Sequence, residues 1–213
     1  MQPIEPSTLT NDATQRISLR SPALQAEQTI SENSSSPWTA IKEILETLIL
    51  AVLLYFVIDA IFARVQVEQF SMEPTLFQKE RLLVNKLAYK LAPPERGDIV
   101  VFHYPNNPSE DYIKRIVGLP GDTIQIIKGD VVVNGQVFAE PYIAERYPPD
   151  TLGSWQVPND SIFVLGDNRM HSSDSQEWGF VPMGNVVGKA MLVYWPLERI
   201  GPVAGGYPIS MIR

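Results

Sequence analysis

The sequence predicts a mainly β protein, in which an antiparallel β domain is anchored by a single N-terminal transmembrane helix. The first observation is a continuous apolar run that ends near Ala63. The second is the region after that run, where short stretches of alternating apolar and polar residues are separated by Gly, Pro, Asn and Asp turn signals. We therefore expect three parts: a disordered tail over residues 1–40, a transmembrane helix over 41–63 and a β-rich domain over 64–213.

Composition limits the chemistry that the chain can perform. The 213 residues carry a net charge of −7 and are 45% hydrophobic, which is enough for one domain with appendages. The acidic balance argues against a nucleic-acid partner. Because there is no cysteine, disulfides, thiolate nucleophiles, cysteine-ligated zinc and iron–sulfur clusters are excluded. Only two histidines are present, so a multi-histidine metal centre is not expected, and we expect no cofactor.

The N-terminal region has two parts of opposite composition. Residues 1–40 are dominated by Ser, Thr, Gln, Asn and Pro, which predicts disorder, and they lack the basic start and apolar stretch of a cleavable signal peptide. From Thr47 to Ala63 the only charged residue is Asp59. As a helix this run would span roughly 25 Å, the short end of what crosses a hydrocarbon core of about 30 Å. A buried core helix is the alternative, but the run is apolar on all sides, which favours the membrane.

The charges that flank the run give little information about its orientation. Lys42 precedes it, whereas Arg64, Lys79 and Arg81 follow it. Taken alone, the positive-inside rule would place the C-terminal region in the cytoplasm, but the rule is weak for long translocated domains.

Eight segments after the run have the composition and period of β-strands. They are residues 64–70, 82–84, 98–104, 111–118, 123–128, 131–138, 161–165 and 186–194. Tight turns are predicted at Gly129-Asp130 and Asn134-Gly135. Residues 139–158 are rich in Pro, Tyr and Asp and should form a long surface excursion, and residues 201–213 an irregular tail. Only residues 77–90 offer room for a short helix.

Ser71 is the candidate nucleophile. It follows the first predicted strand in the sequence Gln-Phe-Ser-Met-Glu-Pro-Thr-Leu, residues 69–76, and Pro74 ends the strand nearby. A rigid strand would aim the side chain, and the turn would leave its oxygen open. Taken by itself, a serine at such a place is more often a turn or cap residue.

A serine nucleophile needs a base, and histidine is one candidate. His171 lies in a polar loop that also contains acidic residues, so a Ser71–His171–Asp triad is conceivable. His103 lies within a predicted strand, where a lone histidine is usually a packing residue.

Lysine is the other candidate base. Lys114 and Arg115 are neighbours in a predicted strand, so they lie on opposite faces, and both faces are apolar. One cation must therefore lie among apolar neighbours, although the period does not say which. Lysine is favoured because burial can lower its pKa from about 10.4 to about 7–8, whereas arginine stays charged. The alternative is a lysine on an edge strand that reaches out to solvent.

Three segments in this order resemble the characteristic boxes of type I signal peptidases, the Ser–Lys dyad serine proteases. The resemblance covers residues 48–196 and includes the preceding apolar run. The segments are Ser-Met-Glu-Pro-Thr-Leu at 71–76, Lys-Arg-Ile-Val-Gly-Leu-Pro-Gly-Asp at 114–122, and Gly-Asp-Asn-Arg at 166–169 with Ser172, Asp174, Ser175 and Trp178-Gly179.

The resemblance implies a catalytic dyad of Ser71 and Lys114. Ser71 would attack the scissile carbonyl, and neutral Lys114 would take its proton and pass it to the leaving amine. Ser172 matches the serine that orients the lysine in this family. The backbone N–H of Ser71 would be one oxyanion donor. Four further residues would mainly hold the site together: Asp167, Asn168, Arg169 and Asp174.

The sequence departs from the family pattern in three places. Gln69 stands where many relatives have a serine or a small residue, so its amide either donates to the oxyanion or leaves that donor missing. Met170 and His171 replace a more usual acid and asparagine. Gln176 stands where a basic residue is common. The departures leave the dyad in place and bear on the oxyanion hole and on the ion pairs around Asp174.

The resemblance also implies substrate and location. Partners would be preprotein signal peptides, cut after small residues at the first and third positions before the scissile bond, together with membrane lipid. The peptide would add as a strand between residues 65–70 and 111–114. The protein would be single-pass in the cell membrane or the thylakoid membrane, with its catalytic domain on the extracytoplasmic side. Trp178 and Phe180 would either dip into the membrane surface or belong to the core.

Three other functions fit parts of the sequence. A self-cleaving Ser–Lys repressor shares the dyad, but the apolar run and the absence of a basic helix-turn-helix region disfavour it. An anchored β binding module would not need Ser71 or Lys114. A Ser–His–Asp hydrolase would depend on His171.

Overall fold

The computed structural model describes residues 37–203, and the tail over 1–36 and the end of the tail over 204–213 lie outside the described residues. The chain divides into two compact units, residues 1–49 and 50–213. Only residues 37–49 of the first unit are described, and all of them are helical. The second unit contains every strand described below.

Helix α1 runs over Pro37–Ile61, which is longer at its N-terminal end than the predicted span. Proline suits the first helical position because its missing N–H would have no partner there. The N-terminal part of the helix, before the apolar run that starts at Thr47, carries an ion pair between Lys42 and Glu46 at 3.6 Å. None of the 25 residues is buried. An apolar helix of this length, uncovered by protein, is a candidate membrane span and does not fit the alternative of a core helix.

The second unit is built from antiparallel strands, as the sequence predicts. A sheet of eight strands has the order β1-β2-β11-β3-β4-β9-β10, with β12 paired to β11. Its strands are β1 Phe62–Gln66, β2 Arg81–Asn85, β3 Ile99–Tyr104, β4 Asn107–Gly118, β9 Ser161–Leu165, β10 Val181–Pro182, β11 Val186–Trp195 and β12 Gly201–Pro202. A second sheet has the order β7-β6-β5-β8. Its strands are β5 Thr123–Ile127, β6 Asp130–Val133, β7 Gln136–Val137 and β8 Gly153–Gln156.

Between α1 and residue 203, the last one described, helical structure is limited to single turns. Two are α-helical, α2 at Ala88–Leu91 and α3 at Ser175–Trp178. Three are 3-10 turns, at Arg169–His171, Met183–Asn185 and Leu197–Arg199. The short helix expected within residues 77–90 therefore exists, but it is one turn at the end of that range.

The core consists of three apolar clusters. One contains residues of β5, β6 and β9, including Ile124, Val131 and Phe163. The second contains Met72 and Leu76 together with residues of β2 and β3. Met72 and Leu76 are each 1% exposed, so the chain around Ser71 is fixed by two buried side chains although it is not part of a strand.

Two predictions about the chain path are wrong. The first strand ends at Gln66 and does not continue to residue 70. The segment 139–158 is not a simple surface excursion, because it contains β8 and buries Tyr142 and Tyr147. Buried tyrosines are stable there because each ring lies under an arginine side chain.

The sequence left open whether Trp178 and Phe180 meet the membrane surface or belong to the core, and in the structure both pack against the core. Trp178 packs against the cluster that contains Phe102, at a ring distance of 5.9 Å. Phe180 packs against the first cluster, 6.1 Å from Phe163.

Candidate active site

The loop that carries Ser71 is held by backbone hydrogen bonds to the segment before β2. The Val67 N–H donates to the Glu80 carbonyl at 2.8 Å, and the Lys79 N–H donates back to the Val67 carbonyl at 2.7 Å. These two bonds carry the pairing of β1 and β2 beyond the end of β1. Ser71 itself is 7% exposed. Its position is therefore set by a paired segment before it and by the buried Met72 after it.

Lys114 lies in the middle of β4, the longest strand of the large sheet, opposite Val100 of β3. Its side chain is 1% exposed, and its Nζ lies 2.6 Å from Ser71 Oγ. The structure therefore brings together the two residues that the sequence nominated as nucleophile and base, although they are far apart in the chain.

Burial sets the protonation of Lys114. Removal from water disfavours the ammonium form and lowers its pKa from 10.5 to about 8. The carboxylates of Asp174 and Asp167 act in the opposite direction and keep the pKa from falling further. A lysine with a pKa near 8 can be both a base and a proton donor close to neutral pH.

Asp174 is the carboxylate that acts most strongly on the pKa of this lysine. It is fully buried, and burial raises the pKa of its carboxyl. The Gly166 N–H at 3.1 Å, the Gln176 N–H at 3.2 Å and the charge of Lys114 favour the carboxylate form. Asp174 also caps the N-terminus of α3 by accepting the Gln176 N–H. The same side chain therefore stabilises that helical turn and raises the pKa of Lys114.

Ser172 and Gly166 lie against the dyad. A Cβ on Gly166 would stand 2.1 Å from Ser172 Oγ and 2.5 Å from the Ser71 carbonyl oxygen, so only glycine fits there. Ser172 Oγ is buried and has no hydrogen-bond partner of suitable geometry among the described residues, although it is close enough to Asp174 to favour its charged form. The resemblance implies a hydrogen bond from Ser172 that orients Lys114, but the structure shows no such bond.

Arg115 is as deeply buried as Lys114, so both neighbouring cations lie within the core, whereas the strand period required this of one and did not say which. Arg115 pairs with Asp167 through two parallel bonds of 2.8 and 2.7 Å. It also donates to the Gly97 carbonyl at 2.8 Å and stacks 3.8 Å from the ring centroid of Tyr142. Asp167 in turn accepts from the hydroxyl of Thr75, which ties this pair to the loop of Ser71.

A second buried ion pair was missed by sequence reasoning. Arg169 binds both carboxylate oxygens of Glu140, and its Nε donates to the Gly166 carbonyl at 3.1 Å. The guanidinium lies 5.2 Å from the ring centroid of Tyr147. The spacing of Tyr142 and Tyr147 in segment 139–158 was the available signal, because a segment that only faced water would not need these aromatic side chains.

The histidines lie elsewhere. Both are exposed; His171 Nδ1 is 3.2 Å from the Asn168 side-chain oxygen, and His103 Nδ1 is 2.7 Å from Asp111. Asn168 itself contacts the loop of Ser71, since its backbone N–H donates to the Ser71 carbonyl at 3.0 Å. Among the described residues, the side-chain partner of Ser71 Oγ is Lys114 rather than a histidine.

A groove with a volume of about 480 Å³ opens at the dyad. One wall is residues 65–69 followed by Ser71 and Met72, and the other is residues 109–114 of β4. Gln69 is part of the first wall. Within residues 37–203 no group of three or more Asp, Glu or His side chains is arranged to hold a metal ion.

Comparison with known proteins identifies the family. Residues 41–195 match the family described as signal peptidase, peptidase S26. A signal peptidase I of Leptolyngbya laminosa is 49% identical over 139 residues, 62% of this chain and 68% of the relative. A probable signal peptidase I-2 of Synechocystis sp. is 41% identical over 180 residues, 82% of each chain. A signal peptidase I of Bacillus amyloliquefaciens is 35% identical over 186 residues, 83% of this chain and 96% of the relative.

The family match includes every residue of the Ser71 loop, of β4 and of the loop that holds Asp174. Two of these relatives match over more than four fifths of this chain. A hydroxyl beside a buried amine is also the arrangement that a serine hydrolase needs. The protein therefore belongs to the peptidase S26 family of serine hydrolases, as a type I signal peptidase.

Proposed function

We propose that this protein is a membrane-bound serine endopeptidase that removes N-terminal signal peptides from exported preproteins, with Ser71 and Lys114 as its catalytic dyad. The observation that carries the proposal is the buried contact of 2.6 Å between Lys114 Nζ and Ser71 Oγ. Both residues line the groove of about 480 Å³ between residues 65–69 and 109–114.

The first half of the reaction forms an acyl-enzyme. Neutral Lys114 accepts the proton of Ser71, and Oγ bonds to the scissile carbonyl carbon while the carbonyl oxygen becomes an oxyanion. The backbone N–H of Ser71 donates to that oxyanion, and Gln69, in the groove wall, is the side chain available as a second donor. The ammonium of Lys114 then protonates the leaving amine as the peptide bond breaks.

The second half releases the signal peptide. Lys114, neutral again, takes a proton from a water that attacks the ester carbon of the acyl-enzyme. The bond to Oγ breaks, the proton returns to Ser71, and a free carboxylate leaves. A positioned base of this kind contributes roughly 10²–10⁴ to the rate.

The strand register favours peptide binding by strand addition. The pairing of β4 with β9 begins at Arg115 and runs toward Gly118, so the edge of β4 before Arg115 has no strand on that side. On the opposite wall of the groove, β1 is the end strand of the sheet order. A peptide laid between these edges would gain backbone hydrogen bonds, and small side chains at alternate positions would fit the shallow walls.

Anchoring through α1 supports the same function. The helix is apolar, exposed along its whole length and long enough to span a bilayer. It leads directly into β1, which places the groove close to a membrane from which signal peptides emerge. We assign the β unit to the extracytoplasmic side of the cell membrane or of the thylakoid membrane.

The test is cleavage of a model preprotein by the detergent-solubilised full chain. Ser71→Ala and Lys114→Ala should abolish cleavage. His171→Ala, which changes an exposed residue at the end of the 3-10 turn 169–171, should retain it. Cleavage by Lys114→Ala together with loss in His171→Ala would instead establish a histidine base. Retention in both Ser71→Ala and Lys114→Ala would favour a binding module without catalysis.

A further inference from the structure

The chain returns to the end of the membrane helix after its first hairpin. β1 leaves α1 at Phe62, and β2 runs antiparallel to it, so that Asn85, the last residue of β2, pairs with Phe62. The next residue, Lys86, donates its N–H to the carbonyl of Ile61 at 2.9 Å, and its ammonium donates to the carbonyl of Asp59. The segment 86–91, Lys-Leu-Ala-Tyr-Lys-Leu, is therefore held beside the last turn of α1.

The segment has one side in the protein and one side in solvent. Tyr89 points inward, packs against the core cluster that contains Phe102 and donates its hydroxyl to Asp98 at 3.1 Å. Lys90 is exposed, and Leu91 is 81% exposed. Leu91 thus keeps most of its apolar surface in water, which is unfavourable, on a turn that the partly buried Tyr89 holds in place.

The charge at this end of the unit is positive although the chain as a whole is acidic. Asp59 pairs with Arg64 at 3.4 Å, and Asp98 pairs with Lys189 at 2.6 Å, so two of the nearby carboxylates are neutralised. A third, Glu95, acts on Tyr89 and has no ion pair among the described residues, so the two cations Lys86 and Lys90 outnumber it at the point where α1 ends. Phospholipid headgroups with negative charge are the anionic surface that such a position meets.

We propose that the segment 86–91 is a membrane-contact loop, in which Lys86 and Lys90 bind anionic phospholipid headgroups and Leu91 enters the interfacial region of the bilayer. The membrane helix ends at Ile61 and this loop is bonded to its last turn, so the two would enter the same leaflet. A short amphipathic piece of this kind binds weakly by itself, and the covalent anchor keeps it at the surface. The loop would thus restrict how the β unit tilts over the membrane.

The absence of native cysteine allows a direct test in the full chain. Leu91→Cys would carry an environment-sensitive fluorophore, and Leu152→Cys, 76% exposed just before β8, is the matched control. Both variants would be reconstituted in vesicles of phosphatidylcholine mixed with phosphatidylglycerol, in a Ser71→Ala background. The readout does not use cleavage, so its outcome is independent of the proposed function.

We expect the fluorophore at position 91 to emit at shorter wavelength than that at 152, and brominated acyl chains to quench it at least about twofold more strongly. Equal emission and equal quenching at the two positions would overturn the proposal.

The role of charge is tested in the same labelled protein. Lys90→Glu should reduce quenching at position 91, whereas Lys128→Glu, an exposed lysine on the second sheet, should not. The reduction should be seen in vesicles that contain phosphatidylglycerol and not in pure phosphatidylcholine. An equal effect of both substitutions, or of Lys90→Glu in both kinds of vesicle, would exclude recognition of anionic headgroups.

Discussion

Two opposing effects, burial and the charge of neighbouring carboxylates, set the pKa of Lys114. Burial lowers its pKa to about 8, and Asp174 and Asp167 oppose that shift. Below that pH the amine is charged and cannot accept the proton of Ser71. We therefore expect kcat/KM to rise with pH through a midpoint near 8, measured between about pH 6 and pH 10. A single rise near the usual pKa of histidine that disappears in His171→Ala would contradict the lysine assignment.

Asp174 should shift that midpoint. Its carboxylate raises the pKa of Lys114, so the isosteric change Asp174→Asn should move the rise in kcat/KM to lower pH. The amide oxygen can still accept from the Gln176 N–H, which keeps the cap of α3. Asp160→Asn, on a loop away from the dyad, is the control. A midpoint unchanged in Asp174→Asn would mean that Asp174 does not act on the pKa of Lys114.

The same lysine should lower the stability of the folded protein at neutral pH. The unfolded chain keeps a pKa near 10.5 and the folded state one of about 8, so the folded state binds fewer protons between these values. Stability should then rise as pH increases from 8 to 10.5, by at most roughly 3 kcal/mol. Lys114→Met should be more stable than wild type at pH 7, because no ammonium group is then buried at position 114. The gain in stability should be partly offset, because the substitution also removes the positive charge that favours the carboxylate form of Asp174. Urea unfolding at both ends of this range would measure the difference, and a wild type that loses stability over that interval would contradict it.

Gly166 is a residue whose lack of a side chain is essential for the geometry. An added Cβ would meet Ser172 Oγ at 2.1 Å and the Ser71 carbonyl oxygen at 2.5 Å. The carbonyl belongs to the backbone and cannot yield without moving Ser71. We expect Gly166→Ala to lower kcat by about 10²-fold, the effect of a displacement near 1 Å at a reacting centre. Gly184→Ala, where nothing lies within 4 Å of the added atom, should be active, and equal activity of both variants would refute the argument.

At the scale of elements, the loop of Ser71 has no regular structure and relies on its neighbours. The 3-10 turn Leu197–Arg199 supplies one of them. Arg199 donates to Glu80 at 2.7 Å and to the Thr75 carbonyl at 3.2 Å, and stacks over Phe77. Glu80 is 2% exposed and accepts the Phe77 N–H at 3.0 Å. A turn from the C-terminal part of the chain thus fixes the far side of the nucleophile loop.

This arrangement predicts a positioning role for Arg199. Arg199→Ala would leave a buried carboxylate without its cation, which costs about 1–3 kcal/mol, and would free the loop after Ser71. We expect kcat to fall with little change in KM, because the groove walls at 109–114 are untouched, and Arg199→Lys to restore part of it. Arg146→Ala, which removes an exposed pair with Asp130 on the second sheet, is the control. Equal loss in both variants would indicate general destabilisation.

Segment 139–158 connects the second sheet to the site. Its Tyr142 lies over Arg115, and its Glu140 pairs with Arg169. Both arginines hold parts of the chain that touch Ser71 or Gly166. The second sheet therefore supports the dyad indirectly, although none of its strands lines the groove.

At the scale of the whole molecule, the predicted topology places residues 1–40 in the cytoplasm and the β unit outside it. The cysteine-free sequence permits a direct measurement with Ser34→Cys and Leu152→Cys. In right-side-out vesicles, a membrane-impermeant thiol reagent should label position 152 at once and position 34 only after the membrane is opened. The reverse order of labelling would contradict the assignment.

The sequence by itself determined the fold class, the apolar helix and most of the strands, and it predicted Ser71 and Lys114 as a dyad, two side chains that lie 2.6 Å apart in the structure. These features depend on local period and composition, or on short motifs that resemble a known family, and such signals are readable along one chain. The strand boundaries near Gln66 and the nature of segment 139–158 could not be obtained in the same way.

Only the tertiary structure decided which groups surround the dyad. A period of two places Lys114 and Arg115 on opposite faces, but it does not say what covers each face. In the structure both faces are covered, and Arg115 is stable there because Asp167 and Tyr142 come from distant parts of the chain. The pairing of Glu140 with Arg169 is likewise set by the folding of one segment over another. Contacts of this kind depend on how elements pack in space, and for that reason no single stretch of sequence contains them.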